Sequence, residues 1–228
     1  MKPLLTKEKL GDQAYRVLRE MIINSRFLPG TRLNVEQLAR DMVISRTPVW
    51  EAALRLIQEG LLVNIPNRGV FVADLTPEAA MELYQVREVL EGLAARLAVH
   101  HIHPEAMARM EQSLKDQYAM VQREDLVGYS KYDFAFHEVI YKLSENKFLQ
   151  EMLEVIRGRI RPTALDFRPM LTASYQDHQA VLAALKAGDG PAAERTIRAH
   201  IRRLIKNLKK NIAAGKKKKP VDRNDSII

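Results

Sequence analysis

Residues 33–72 read LNVEQLARDMVISRTPVWEAALRLIQEGLLVNIPNRGVFV, and a change of period inside this stretch decides the fold of the N-terminal region. Asn34 is a candidate cap for a helix from Val35 to Met42, with Leu38 and Ala39 facing inward. Ser45 is expected to cap the next helix, Arg46 to Glu59, which Gly60 terminates. Pro48 falls in the first turn of that helix, where a missing N–H costs nothing. The period then shortens: Leu61 to Ile65 and Val70 to Val72 flank the turn Pro66-Asn67-Arg68-Gly69, which reads as a β-hairpin. Upstream, Leu10, Ala14, Val17, Leu18, Met21 and Ile22 recur at helical spacing until Pro29-Gly30. Three helices, two of them joined by a very short turn, and then a hairpin describe a winged helix-turn-helix.

Such a unit places the start of its last helix in the major groove of DNA. Ser45, Arg46, Thr47 and Trp50 stand at that start. Arg46 has a planar fork that can take two acceptors of a guanine or a phosphate, while Ser45 and Thr47 could reach phosphates. The hairpin tip, Asn67, Arg68 and Gly69, could reach the minor groove. In the plainer reading Ser45 only caps, Arg46 is solvated and Gly69 only makes the turn.

Beyond Asp74 the texture changes. Thr76-Pro77-Glu78 is a good helix start, and the rest reads as long amphipathic helices with no strand. Leu83, Val86, Leu90, Leu93 and Leu97 predict an inward apolar stripe on the first of them. Further helices are expected at about 104–123, 125–144, 146–161, 174–187 and 190–213, six in all, which make a helical bundle. The fold class is therefore mainly α. A winged helix-turn-helix spans 1–74, an all-α bundle 75–214, and a basic tail 215–228.

The 228 residues are 46% hydrophobic, enough for a sizeable core, and carry no Cys, which excludes disulfides and thiolate chemistry. The first residues lack a signal-peptide core, and no apolar run reaches about 18 residues. A cytoplasmic protein without membrane attachment is expected. The formal charge is +8, yet residues 202–228 alone hold 10 basic against 2 acidic residues. Most of the excess thus sits at the C-terminal end around Lys216 to Lys219, where it can attract nucleic acid but cannot specify a sequence.

Three of the six His stand at telling positions. Asp133 and His137 are spaced i,i+4 on one helix and share a face. His178 and His200 each lie 11 residues from Asp189, in the turn Gly188-Asp189-Gly190-Pro191. In an antiparallel hairpin they would stand level, about 16 Å above the turn. Three imidazoles and a carboxylate suit a first-row divalent metal with room for further oxygen ligands; three unrelated histidines are the alternative. Zn heads the candidates, before Ni, Mn and Fe. Arg87 stands beside Leu83 and Leu90, where it needs a partner, and Glu91 at i+4 is the simplest one. The cluster His100, His101 and His103 before Pro104 reads as solvated.

The stretches Leu33 to Ala39, Ile44 to Val49 and Glu51 to Leu56, with Glu59-Gly60-Leu61-Leu62 and Asn67 to Val72, resemble the DNA-binding domain of the GntR family of bacterial transcription regulators. Two residues depart from that pattern. The family usually has a DNA-touching Arg where Trp50 stands, and often Gly where Val43 stands. A β-branched residue with positive φ would be strained, so a different turn geometry is expected at Val43. Downstream, Asp133-x-x-x-His137, His178 ahead of Ala184-Leu185-Lys186-Ala187-Gly188-Asp189, and Ala199-His200 resemble the FCD effector domain of the FadR branch, in its shorter, VanR-like form. The resemblance implies that Asp133, His137, His178 and His200 bind a divalent metal with a small carboxylate above it. It also implies that Arg87, in Arg87-x-x-Leu90-Glu91, clamps that carboxylate.

The resulting expectation is a ligand-responsive regulator, acting as a repressor and homodimer on a two-fold double-stranded DNA operator, with a small organic acid as effector. A metal-dependent hydrolase or isomerase carrying a winged helix is the alternative from another class, with no second carboxylate at recognisable spacing to act as base. A non-specific architectural DNA binder driven by the lysine tail is the third.

Overall fold

A computed structural model describes residues 9–23, 26–160 and 167–215; the lysine run and most of the basic tail lie outside them. The chain divides into two compact units, Met1–Thr76 with Glu154–Ala164, and Pro77–Leu153 with Leu165–Ile228.

In the first unit, α1 (Leu10–Ile23), α2 (Val35–Asp41) and α3 (Arg46–Gln58) precede β1 (Leu62–Ile65) and β2 (Gly69–Val72). The strands are antiparallel, with Leu62 opposite Val72 and Ile65 opposite Gly69. Residues 31–33 run along the free edge of β2: Leu33 N–H donates to Val70 O at 2.8 Å and Val72 N–H to Thr31 O at 2.9 Å. Asn34 caps α2 as expected, its Oδ1 accepting from Gln37 N at 3.0 Å. Leu18, Ile22, Val49, Leu56, Leu62 and Val72 form the centre of the core, each buried aliphatic contributing about 1.5–3 kcal/mol. At the end of α3, Gly60 adopts φ 72° and lets Leu61 N–H reach Leu56 O at 2.9 Å. Arg159 Nε donates to the carbonyl of Glu59 at 2.6 Å, occupying one of the acceptors the helix end leaves open.

Two expectations are corrected here. Val43 does take the left-handed conformation, φ 56°, in the turn between α2 and α3. Its N–H bonds to Arg40 O at 3.1 Å and that of Ile44 to Ala39 O at 3.0 Å, so the turn keeps the closed hydrogen bonding that usually recruits Gly. The side chain escapes into solvent, 89% exposed, and the backbone carries a strain of about 1–2 kcal/mol. Ser45 occupies the cap position of α3, but its hydroxyl makes no capping hydrogen bond.

The second unit contains α4 (Pro77–Ala98), α5 (Pro104–Gln122), α6 (Leu126–Leu143), the first half of α7 (Lys147–Arg159), α8 (Leu171–Lys186) and α9 (Gly190–Gly215). A 3-10 turn, Arg168–Met170, leads into α8, which starts three residues earlier than its periodicity suggested. Gly188, at φ 67°, turns α8 back into α9. Met110, Phe136, Ile140, Leu185 and Ile197 are fully buried between the helices. None of the described helices is long and apolar enough to cross a membrane.

The face of α4 is also corrected. Val86 and Leu93, read as part of the inward stripe, are exposed, whereas Ala80, Tyr84, Arg87, Glu91, Ala94 and Ala98 are buried. Steps of three and four residues predicted the helix; they did not show which side of it the bundle would cover. Of the histidines after α4, His100 and His103 are exposed as expected and His101 is half-buried. His103 caps α5, its Nδ1 accepting from Ala106 N at 3.4 Å, and His101 Nδ1 lies 3.0 Å from Leu143 O.

Candidate metal centre and nucleic-acid interface

Helices α6, α8 and α9 bring Asp133, His137, His178 and His200 together. One ligand atom from each lies within 4.8 Å of all the others. The i,i+4 spacing stacks Asp133 and His137 on one face of α6, with Oδ1 3.8 Å from His137 Nε2 and 3.5 Å from His178 Nε2. The tight α8–α9 turn sets His178 and His200 level, ring centroids 4.6 Å apart. Phe136 stacks on His178 at 4.8 Å and closes the apolar side of the cluster. All three imidazoles are buried, whereas Asp133 keeps partial access to solvent.

Each imidazole has a polar partner on its outer nitrogen. His137 Nδ1 lies 2.8 Å from Glu91 Oε2, His178 Nδ1 donates to Gln117 Oε1 at 2.8 Å, and His200 Nδ1 is 3.3 Å from Asp177 Oδ2. At His178 and His200 the acceptor at Nδ1 holds the proton there and leaves the lone pair on Nε2; the His137–Glu91 contact is a close ion-pair approach without hydrogen-bond geometry. The Nε2 atoms of His137 and His178 lie 3.2 Å apart, and Nε2 of His200, like Nδ1 of His137 and Oε2 of Glu91, is buried without a hydrogen-bond partner. Orphaned buried polar atoms are costly, and a cation among the Nε2 atoms would satisfy that of His200. The donor set, N3O with a carboxylate open to solvent, therefore fits a divalent first-row metal. Burial, then the neighbouring His200 and His137, holds His178 well below the usual imidazole range. Burial also lowers His200, against the raising effect of Asp177. Neutral imidazoles are the form that ligates.

Gln117, Asp177 and Tyr141 were not singled out in the sequence, and Glu91 only as the i,i+4 partner of Arg87. Glu91 is the centre of a buried network: Arg87 Nε donates to Oε1 at 2.5 Å, and Tyr141 hydroxyl bonds the same oxygen. Burial alone would raise the Glu91 carboxyl; the charge of Arg87, then His137 and Tyr141, hold it far below the ordinary range instead. Carboxylates do therefore adjoin the cluster, contrary to the sequence expectation, and both are committed as partners of imidazoles or arginines. Arg87 forms the i,i+4 bridge to Glu91, its guanidinium 5.4 Å from the Tyr84 ring. Only the Arg87–Glu91 spacing was legible beforehand; Gln117 on α5 has no sequence signal tying it to α8.

In the first unit, Ser45, Arg46, Thr47 and Trp50 are all exposed on the first turns of α3. Arg46 Nη1 pairs with Glu36 Oε1 of α2 at 2.8 Å, with both side chains more than half exposed. Asn67 and Arg68 are exposed at the hairpin tip, where Asn67 takes φ 62° and Gly69 φ 103°. Gly69 is packed against the Arg32 guanidinium: a Cβ there would lie 3.3 Å from its Nε. Arg32, Asn34, Glu36, Trp50 and Gly69 line one cleft between the wing and the helices.

Comparison with known proteins agrees with both halves. The family described as "Bacterial regulatory proteins, gntR family" matches residues 10–72, and the FCD domain matches residues 82–203. The HTH-type transcriptional repressor RspR of Escherichia coli (strain K12) is 25% identical over 205 residues, covering 89% of this chain and 90% of that protein. The HTH-type transcriptional regulator YdhC of Bacillus subtilis (strain 168) is 29% identical over 210 residues, covering 90% and 93%. The solved structure of E. coli McbR/YncC superposes with a TM-score of 0.78 at 25% identity, covering 90% of this chain and all of that one. A winged helix joined to this helical bundle, with those likenesses across both, makes the chain a member of the GntR family of bacterial transcription regulators with an FCD domain, and not an enzyme.

Proposed function

We propose that this regulator is ligand-responsive: a divalent metal held by Asp133, His137, His178 and His200 receives a small carboxylate effector, and its arrival changes the affinity for an operator. The observation that carries the reading is the convergence of three buried imidazoles and one carboxylate, one ligand atom of each within 4.8 Å of the others, with Gln117 and Asp177 hydrogen-bonded behind His178 and His200 and Glu91 2.8 Å from His137 Nδ1. The metal would supply Lewis acidity for an oxygen ligand. The chain's own residues hold it, orient the rings and exclude water on the Phe136 side. Zn leads Ni, Mn and Fe as the ion, since a borderline cation suits imidazole with carboxylate.

Arg87 is the proposed second anchor for the effector. Its bridge to Glu91 occupies Nε, so a carboxylate would be met by the outer guanidinium nitrogens. On DNA, Arg46 and Trp50 of α3 are proposed to enter the major groove, with Ser45 and Thr47 on phosphates and Asn67, Arg68 and Gly69 reaching the adjacent groove. Arg46 would exchange Glu36 for a base or phosphate. A cytoplasmic homodimer on a two-fold operator, acting as a repressor, completes the reading; the likeness to the transcriptional repressor RspR supports the sign of regulation.

The test is metal content of untagged protein by elemental mass spectrometry, alongside a His178→Ala/His200→Ala variant. About one metal per chain, lost in the variant, with operator affinity shifted by a small carboxylate only in the wild type, supports the reading. Absence of metal in both after reconstitution with Zn and Ni refutes it.

A further inference from the structure

The charges on the first turns of α3 and on the neighbouring α2 are largely answered within that surface. Arg46 pairs with Glu36 at 2.8 Å. On α2, Arg40 Nη2 donates to Gln37 Oε1 and Gln37 Nε2 donates to Asp41 Oδ1, both at 2.7 Å. Beside these groups stand two large apolar side chains, Trp50 at 40% and Leu54 at 43% exposure. Arg46, Trp50 and Leu54 follow steps of four and so share one side of α3. Val49, Ala52, Ala53 and Leu56 are the residues of α3 that the core buries, so the indole is not there to complete the core. It forms one wall of the cleft that Arg32, Asn34, Glu36 and Gly69 also line. An apolar side chain offered to the major groove needs an apolar counterpart. Base-pair edges present donors, acceptors and one kind of apolar group there, the C5-methyl of thymine.

We infer that Trp50 specifies a thymine in the operator by packing its indole on the C5-methyl group. The inference rests on the reading of α3 as the element that enters the major groove, and it names what one residue of that helix recognises. Four residues of helix advance about 6 Å and base pairs stack about 3.4 Å apart, so this thymine lies roughly two base pairs from the group met by Arg46. An Arg in place of Trp50 would take the two acceptors of a guanine; the indole has no such fork and selects by apolar contact instead. Its single N–H can meet only an acceptor, such as thymine O4, which remains when the methyl is taken away. Removing the methyl alone therefore separates apolar packing from a hydrogen bond.

The full-length chain would first select its site from a random-sequence duplex library. Uracil then replaces each thymine of that site in turn, which deletes the methyl and keeps O4 and the pairing edge. At one position the replacement should weaken binding about 4-fold, the worth of one buried methyl group. Trp50→Ala should bind the thymine and uracil duplexes of that position equally, and Trp50→Phe should still prefer thymine. Trp50→Arg, put through a fresh selection, should prefer guanine there. Circular dichroism would confirm that each variant is folded, and the uracil series needs the wild-type chain alone. A selected site in which no thymine responds to uracil overturns the inference and leaves α3 as the DNA reader. A uracil effect that persists unchanged in Trp50→Ala does the same. Failure of the selection to enrich any sequence overturns the reading of α3 as well.

Discussion

Replacing Glu91 by Gln isolates the network that supports the candidate metal centre. Glu91 is fully buried; its Oε1 accepts from Arg87 Nε at 2.5 Å and from the Tyr141 hydroxyl, and its Oε2 lies 2.8 Å from His137 Nδ1. Glu91→Gln preserves shape and one acceptor oxygen but strands the Arg87 cation, whose side chain is 5% exposed. Breaking one side of a buried ion pair costs about 3–5 kcal/mol, and the retained amide oxygen places this case near 3. For a unit of this size that is a fall of roughly 6–12 °C in Tm. Arg87→Met/Glu91→Gln removes both charges and should recover to within about 1 kcal/mol of wild type, because no uncompensated charge remains. Urea and thermal unfolding of chelator-treated protein, followed by circular dichroism, would give the cycle without a metal contribution. A single-variant loss below about 1 kcal/mol, or a double variant no more stable than Glu91→Gln, would refute the view that this pair is a mutually dependent buried unit.

Three further outcomes follow from named positions. Val43→Gly should stabilise the winged helix by about 0.5–1 kcal/mol in urea titration: it relieves left-handed strain, less Gly's added chain entropy, and removes a side chain that is 89% exposed; unchanged or lower stability would count against strain at this turn. In metal-free protein, stability should fall as pH drops below about 6.5. The unfolded chain then binds protons that burial denies to His178 and His200, so the urea midpoint should be higher at pH 7.5 than at pH 5.5; an equal or higher midpoint at the lower pH would contradict those lowered imidazoles. Gln117→Leu removes the acceptor behind His178 and should weaken Zn binding about 10–100-fold by competition with a chromogenic chelator; unaltered affinity would show that the ring needs no such support.

Much of the architecture was readable because it depends on local periods. Asn34, Gly60 and the alternation of Val70 and Val72 act through neighbours a few residues away, and the structure shows each acting in that way. The i,i+4 pair on α6 and the equal distances of His178 and His200 from Asp189 were legible for the same reason: helix rise converts spacing into position. Val43 was misjudged because a steric preference of 1–2 kcal/mol is smaller than what the closed α2–α3 turn and the packing of both helices supply. Gln117, Asp177 and the approach of Glu91 to His137 were missed because contacts between helices carry no fixed sequence separation, whereas the Arg87–Glu91 bridge was legible as an i,i+4 pair.

From the sequence alone came the two-part organisation, the winged helix, the all-helical bundle and the four candidate ligands. All of these rest on hydrogen-bonding periods and residue chemistry within single elements. Tertiary structure decided which face of α4 the bundle covers, so that Arg87 and Glu91 are buried and Val86 and Leu93 are not. It also decided which side chains hold the imidazoles from behind, and that the hydroxyl of Ser45 makes no capping bond. An amphipathic period specifies that a helix has two unlike sides. Only the packing of the other helices determines which of them meets the core, and a buried ion pair hydrogen-bonded to a neighbouring tyrosine can take the inner side as well as leucine can.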